Sequence, residues 1–215
     1  MPTSRTPSLL VALAVLLVCL FWTGLNAYDL PTWWLEVLPV FIALPLLCAT
    51  YKNFPLTTLV YVGIFVHVCV LMVGGMYTYA RVPLGFEMAE WLGLHRNPYD
   101  KVGHFFQGCV PALVAREILQ RGAYVHGRKM LAFLVVCVVL AVSASYELLE
   151  WAAAMALGQG ADEFLATQGD PWDTQSDMLF ALIGASTSLL VLSGLHDRQM
   201  ARLSTCQTPS PTSEQ

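Results

Sequence analysis

Apolar and polar positions along the chain fall into six blocks. Four are nearly unbroken apolar runs close to the ~20 residues that a membrane helix needs, at about 8–27, 32–50, 55–79 and 130–153. A fifth, about 174–195, is apolar apart from its acidic entrance in QGDPWDTQSDM, residues 168–178. The sixth, about 99–119 (YDKVGHFFQGCVPALVAREIL), has a Gly- and Pro-interrupted apolar middle between polar ends. Counting it as a span predicts an all-α, polytopic transmembrane bundle of six helices with both termini on one side. The first block has a single basic residue before it, Arg5, and a poor small-residue pattern near Asn26-Ala27. It therefore reads as a retained span and not as a cleaved leader.

Composition supports the pattern. Charged residues make up 12% of the chain, about half of the roughly 25% usual for soluble domains, so the lipid bilayer is the expected surroundings. Residues 1–200 read as one transmembrane domain. Residues 201–215, rich in Pro, Ser and Thr, read as a disordered cytoplasmic tail. The formal charge of -4 and the lack of a basic stripe exclude nucleic acid as a partner. The six cysteines lie apart, without a CxxC pair, and read as small buried hydrophobes.

Basic residues set the direction. With the N-terminus cytoplasmic, the inner side collects Arg5, Lys52, Arg116, Arg121, Arg128, Lys129, Arg198 and Arg202, and the outer side only Arg81, Arg96 and Lys101. This predicts cytoplasmic N- and C-termini. It also brings three polar clusters to the outer surface. Asp100, His104 and Gln107 share a face of the fourth span at i, i+4, i+7. Ser143, Glu147 and Glu150 form a stripe on the fifth, and Asp173, Asp177 and Gly184 one on the sixth. His67, near the middle of the third span, and the GGMYTY stretch at its outer end face the same region.

Each feature also has an ordinary explanation. Asp170-Pro171 fits a helix start, with Asp170 as N-cap, Pro171 at N1 and Asp173 at N3. Glu147 and Glu150 fit an interfacial position beside Trp151, and Asp100 a pair with Arg96 or Lys101. His104 and His67 fit helix packing, and Arg116 and Glu117 pairing or snorkelling. What those explanations leave over is the convergence. Acids within a span cost ~2.5–3.5 kcal/mol on insertion scales, and the outer side has few basic residues to offset them. A metal ion, protons or a cationic substrate would supply the difference.

The motifs VGGMYTYARVPLG, RNPYDKVGHFFQG, SASYELLEW and EFLATQGDPWDTQSDMLFALIGA resemble the YjdF-type inner-membrane proteins of bacteria, over about residues 8–200. The resemblance implies a multi-pass bacterial inner-membrane protein and carries no assigned activity. A looser similarity, over about 100–185, links Asp100, Lys101, His104, Glu147 and Asp177 to the pattern of VanZ-like membrane proteins, a fold-level analogy.

Three functional classes remain in view. In the first, a divalent metal on Glu147, Asp173 and Asp177, with His104 as ligand or base and Glu150 a further candidate ligand, serves an enzyme acting on a lipid-linked or cell-envelope substrate. His104, Glu147 and Asp177 are then the candidate catalytic residues. In the second, Glu, Asp and His form the relay of a small proton-coupled transporter. In the third, the acids only order a non-catalytic scaffold. No HExxH or GxSxG motif occurs, and the residues leave the choice, and the oligomeric state, open.

Overall fold

The computed structural model describes residues 5–157 and 168–207, and every regular element among them is helical. The helices are α1 (Thr6–Leu25), α2 (Leu30–Glu36), α3 (Leu38–Thr50), α4 (Thr58–Met76), α5 (Pro83–Leu92), α6 (Tyr99–Arg121) and α7 (Arg128–Leu157). The last helix starts as α8 (Asp173–Thr187), widens into a π-helical turn at Ser188–Leu192 and continues as α9 (Ser193–Gln207). Residues 201–207 of the expected tail are therefore helical in backbone, and 208–215 lie outside the described residues.

Prolines and a glycine set several boundaries. The second apolar block is a helix pair bent by 41°, because Pro39 sits in the first turn of α3 and lacks the N–H that would continue α2. Pro98 stands immediately before α6, where its fixed φ suits a helix entrance. Gly93, at φ +65°, ends α5, and Leu94 N–H returns to the Ala89 carbonyl. α5 itself falls in what the sequence pattern leaves as a loop. It is a short surface helix with Leu84, Phe86, Trp91 and Leu92 exposed.

Among the described residues, four helices are long and apolar enough to cross a membrane: Thr6–Leu25, Thr58–Met76, Arg128–Ala156 and Asp173–Leu203. The bent α2–α3 pair makes a fifth if it is one span. Their flanks are apolar and outward-facing, as with Val11, Leu17, Val18 and Phe21 on α1. Cys48 and Cys137 are exposed on such flanks, contrary to the expectation that the cysteines are buried; Cys109 is buried, and the described cysteines are free thiols. α6 is different. It is 23 residues long but buries Lys101, His104, Arg116 and Glu117, together with Gly108, Ala112 and Ala115.

α6 is central because small residues let it touch α8 backbone to backbone. A Cβ on Gly108 would run into the Ala181 carbonyl, and one on Gly184 into the Phe105 carbonyl. Cys109 Sγ lies 3.2 Å from the Gly184 carbonyl, and Ser188 Oγ donates to the Cys109 carbonyl at 3.0 Å. Ala112, Ala115, Val135, Val139, Ala181 and Ala185 complete the packing between α6, α7 and α8. Small-residue contacts of this kind hold helices together where lipid removes the ordinary hydrophobic drive.

Gly184→Val is expected to destabilise the protein by about 1–3 kcal/mol or more through overpacking. The readout is a lower thermal midpoint and less monodisperse protein in detergent. Gly194→Ala, where the added carbon meets open space, serves as the control and should leave both unchanged.

Candidate functional site

The α6–α8 contact aligns the N-terminal halves of the two helices, and the acids of the opening stretch come to lie on α6. A loop staple helps. Gln168 takes the Asn97 amide on its Oε1 at 3.0 Å and donates Nε2 to the Asn97 carbonyl at 2.9 Å. The segment before α8 is thereby pinned to the segment before α6, and Arg96 reaches Asp170 at 2.8 Å and Asp173 at 2.7 Å. Partial burial opposes the Arg96 charge, but Asp173, Asp170 and Asp177 outweigh it and hold the guanidinium above its ordinary range.

Asp170 is not the helix cap that the DPWD pattern suggests. Its Oδ1 accepts from Trp172 N–H at 2.9 Å, a turn outside the helix, and α8 begins only at Asp173. Asp173 Oδ1 takes both Arg96 and Lys101, the latter at 2.7 Å. Lys101 also reaches Asp177 Oδ1 at 2.5 Å and approaches Asp100 Oδ2 at 3.7 Å. The countercharge for Asp170, Asp173 and Asp177 is therefore present in the chain, supplied by Arg96 and Lys101, two of the few basic residues expected on the outer side. The shortfall moves inward.

Inward of Lys101, His104 is almost wholly buried. Its Nδ1 lies 2.9 Å from Gln107 Oε1; donation there leaves the Nε2 lone pair facing Asp100 Oδ1 at 3.5 Å and Asp177 Oδ1 at 3.7 Å. Ligand atoms from Asp100, His104 and Asp177 all lie within 4.8 Å of one another. Glu147 Oε1, on α7, stands 4.0 Å from Nδ1. It is buried without a hydrogen-bond partner, as is Ser143 Oγ one turn earlier. Leaving such an atom unpaired ordinarily costs about 1–3 kcal/mol.

A cavity of about 130 Å³ opens beside this group. Asp100, His104, Gln107 and Glu150 line it, as do His67, Glu36, Tyr79 and Tyr146. His67 Nε2 has no partner, and Glu36 accepts from Tyr146 OH at 3.0 Å. Tyr79 fills the space that Gly74 and Gly103 leave free, on a backbone held at φ +49°, a conformation a bulky side chain rarely adopts. The structure thus brings Asp100, His104 and Glu150 around one chamber, and sets Glu147 and Asp177 against His104 without making them part of its lining. Asp173 stays with Arg96 and Lys101, outside the converging ligand atoms. Glu36 and Tyr146 are chamber residues the sequence reading passes over, and Tyr79 enters the chamber as the last residue of the GGMYTY stretch. Glu36 had a usable signal, as the one acid within the second apolar block.

The other end of α6 holds a second buried group with a different character. Glu117 accepts from Thr57 N–H at 3.0 Å, Thr57 Oγ1 at 2.7 Å, Arg121 at 2.6 Å and His196 Nε2 at 3.0 Å. Arg116 reaches His196 Nδ1 at 3.3 Å and Asp197 at 2.7 Å. Arg116 and Glu117 do pair, as expected, and His196 is the member not foreseen. Each carboxylate oxygen of Glu117 is satisfied, so this network reads as a tie between α4, α6 and α9. The chamber, with its orphaned atoms, does not.

Apolar flanks, several spans and a polar chamber define a multi-pass helical membrane protein. The chain belongs to the family described as predicted membrane protein (DUF2238), which matches residues 8–198. It is similar to the inner membrane protein YjdF of Escherichia coli (strain K12), 64% identical over 187 residues, covering 87% of this chain and 90% of that one. It is a multi-pass protein of the bacterial inner membrane. No solved structure matches it.

Lys101→Met is expected to cost about 3–5 kcal/mol, because Asp173 and Asp177 stay buried after their partner is gone. Adding Asp177→Asn should restore part of that loss. A thermal-melt double-mutant cycle measures the coupling.

Proposed function

We propose that the chamber is a metal-dependent catalytic site for a lipid-linked or cell-envelope substrate. The observation that carries this is the convergence of Asp100, His104 and Asp177 ligand atoms within 4.8 Å, beside Glu147 Oε1, which has no hydrogen-bond partner. Two carboxylates and an imidazole suit a hard or borderline divalent ion such as Mn²⁺ or Zn²⁺. Gln107 acts on the far ring nitrogen as an orienting partner, and Lys101 pairs with Asp177 from the side. An ion held by these residues would supply Lewis acidity toward a phosphoryl or carbonyl oxygen of the substrate. Glu147, 4.0 Å from His104 Nδ1, would take the proton of the attacking water, and Glu150 and Glu36 line the chamber beside it.

In this reading α6 is the fourth of six spans, its polar groups sheltered from lipid by α4, α7 and α8, and both termini are cytoplasmic. The eight-to-three division of basic residues supports that direction, and it turns the chamber toward the outer leaflet. A scaffold has no use for buried, unpaired carboxylates around a cavity. A proton-coupled carrier finds support in the unpaired His67 Nε2. Against it, buried Val60 and Leu113 form an apolar layer near the Glu117 end.

Gently purified protein is expected to hold close to one Mn²⁺ or Zn²⁺ per chain by elemental analysis, and His104→Ala and Asp177→Asn to lose it while remaining monodisperse. Metal-free protein that stays metal-free after addition of both ions would end the metal reading and favour the carrier.

A reporter active only outside the cytoplasm is expected to give signal when fused after Gly93, between α5 and α6, and none at the C-terminus. The reverse pattern would place the chamber on the cytoplasmic side.

A further inference from the structure

A second cavity, larger than the chamber, lies away from it. It is a cleft of about 280 Å³ between α1, α3 and α4. α1 packs along α4 and touches α2, whereas α3 stands off from both α1 and α4. The walls are apolar, with Leu9, Leu13 and Leu16 from α1, Leu44 and Leu47 from α3 and Phe65 from α4. An apolar gap of this size inside a bilayer loses dispersion contacts unless hydrocarbon fills it.

Its dimensions and its rim limit what can fill it. Along α1 the lining runs from Thr6 to Leu16, about 15 Å at the rise of an α-helix. That is half of the ~30 Å hydrocarbon thickness, the depth of a single leaflet. The deep end is apolar, and the other end carries a polar rim. There Thr6 Oγ1 and Tyr51 OH lie 3.1 Å apart, and the Tyr51 and Tyr61 rings pack at 6.4 Å. Arg5, the residue before α1, donates to Thr58 Oγ1 at 3.2 Å and to the Leu56 carbonyl at 3.4 Å. A guanidinium carries five donors, so Arg5 keeps capacity to spare. Lys52 follows Tyr51 directly and is exposed. Both charges at the rim are positive.

We propose that this cleft is a binding site for one anionic phospholipid, with an acyl chain between α1, α3 and α4 and the phosphate held by Arg5 and Lys52. The lipid acts as the missing wall that joins α3 to the bundle. Because α3 continues from α2, which carries Glu36, the lipid also steadies one side of the chamber. The site stands independently of any chemistry in the chamber.

Native mass spectrometry of the full chain in mild detergent tests this, with dioleoyl phosphatidylglycerol and dioleoyl phosphatidylethanolamine added separately. The parent is expected to retain one phosphatidylglycerol per chain and to release phosphatidylethanolamine more readily. Arg5→Ala/Lys52→Ala should weaken phosphatidylglycerol retention about tenfold or more, from ~1 kcal/mol per basic residue near a membrane surface. Leu13→Trp, which fills the cleft, should reduce retention of both lipids, and Leu47→Trp fills it from the opposite wall if the first variant folds poorly. Equal retention of phosphatidylglycerol by the parent and the charge variant would overturn the proposal. So would unchanged retention by a well-folded cleft-filling variant, or no preference between the two lipids.

Discussion

Everything at the chamber depends on how closely α6 can approach α8. Gly108 and Gly184 each leave a space that the other helix's backbone occupies, so the two helices meet without side chains between them. That contact fixes the register at which Lys101 on α6 meets Asp173 and Asp177 on α8. A helix separation set by ordinary core side chains, 8–10 Å, would not bring His104 and Asp177 to the distance seen. The small residues therefore do more than stabilise the bundle. They determine which polar groups share a site.

The two ends of α6 show how burial and satisfaction separate structural from chemical roles. Glu117 is fully buried and surrounded by donors from α6, α9 and the start of α4. Glu147 is nearly as buried and has an oxygen with none. Both carboxylates meet the same desolvation cost, and only the first recovers it within the chain. A bundle designed for stability alone would have put an apolar residue at 147. The unmet demand for positive charge is concentrated around a cavity large enough to admit an ion or small group.

The chain's charges also differ in kind by location. Arg96 and Lys101 sit at the mouth of the chamber and neutralise the acids of the loop and the first turn of α8. Asp100, Glu150 and Glu36 lie deeper, around the cavity, where the histidines are the nearest basic groups. The mouth is therefore balanced by basic side chains, while the interior sets carboxyl groups beside histidines around the cavity.

The sequence by itself determined the helices and their environment. Twenty-residue apolar runs have few alternatives to helix in lipid, because every backbone N–H and C=O must be paired internally; the break at Pro39 within the second run was not among what they showed. Asp100, His104, Glu147, Glu150 and Asp177 were legible as polar positions at helical spacing on apolar elements. Tertiary structure alone decided how they were matched. Helical periodicity reports which residues share a face of one helix and is silent on what another helix sets against it. So the pairing of Lys101 with two aspartates, the exclusion of Asp173 from the converging group, and the arrival of Glu36 from a bent helix at the chamber were fixed by packing. The same reason hid the Glu117–His196 tie and the cleft beside α1, since neither exists until distant helices meet.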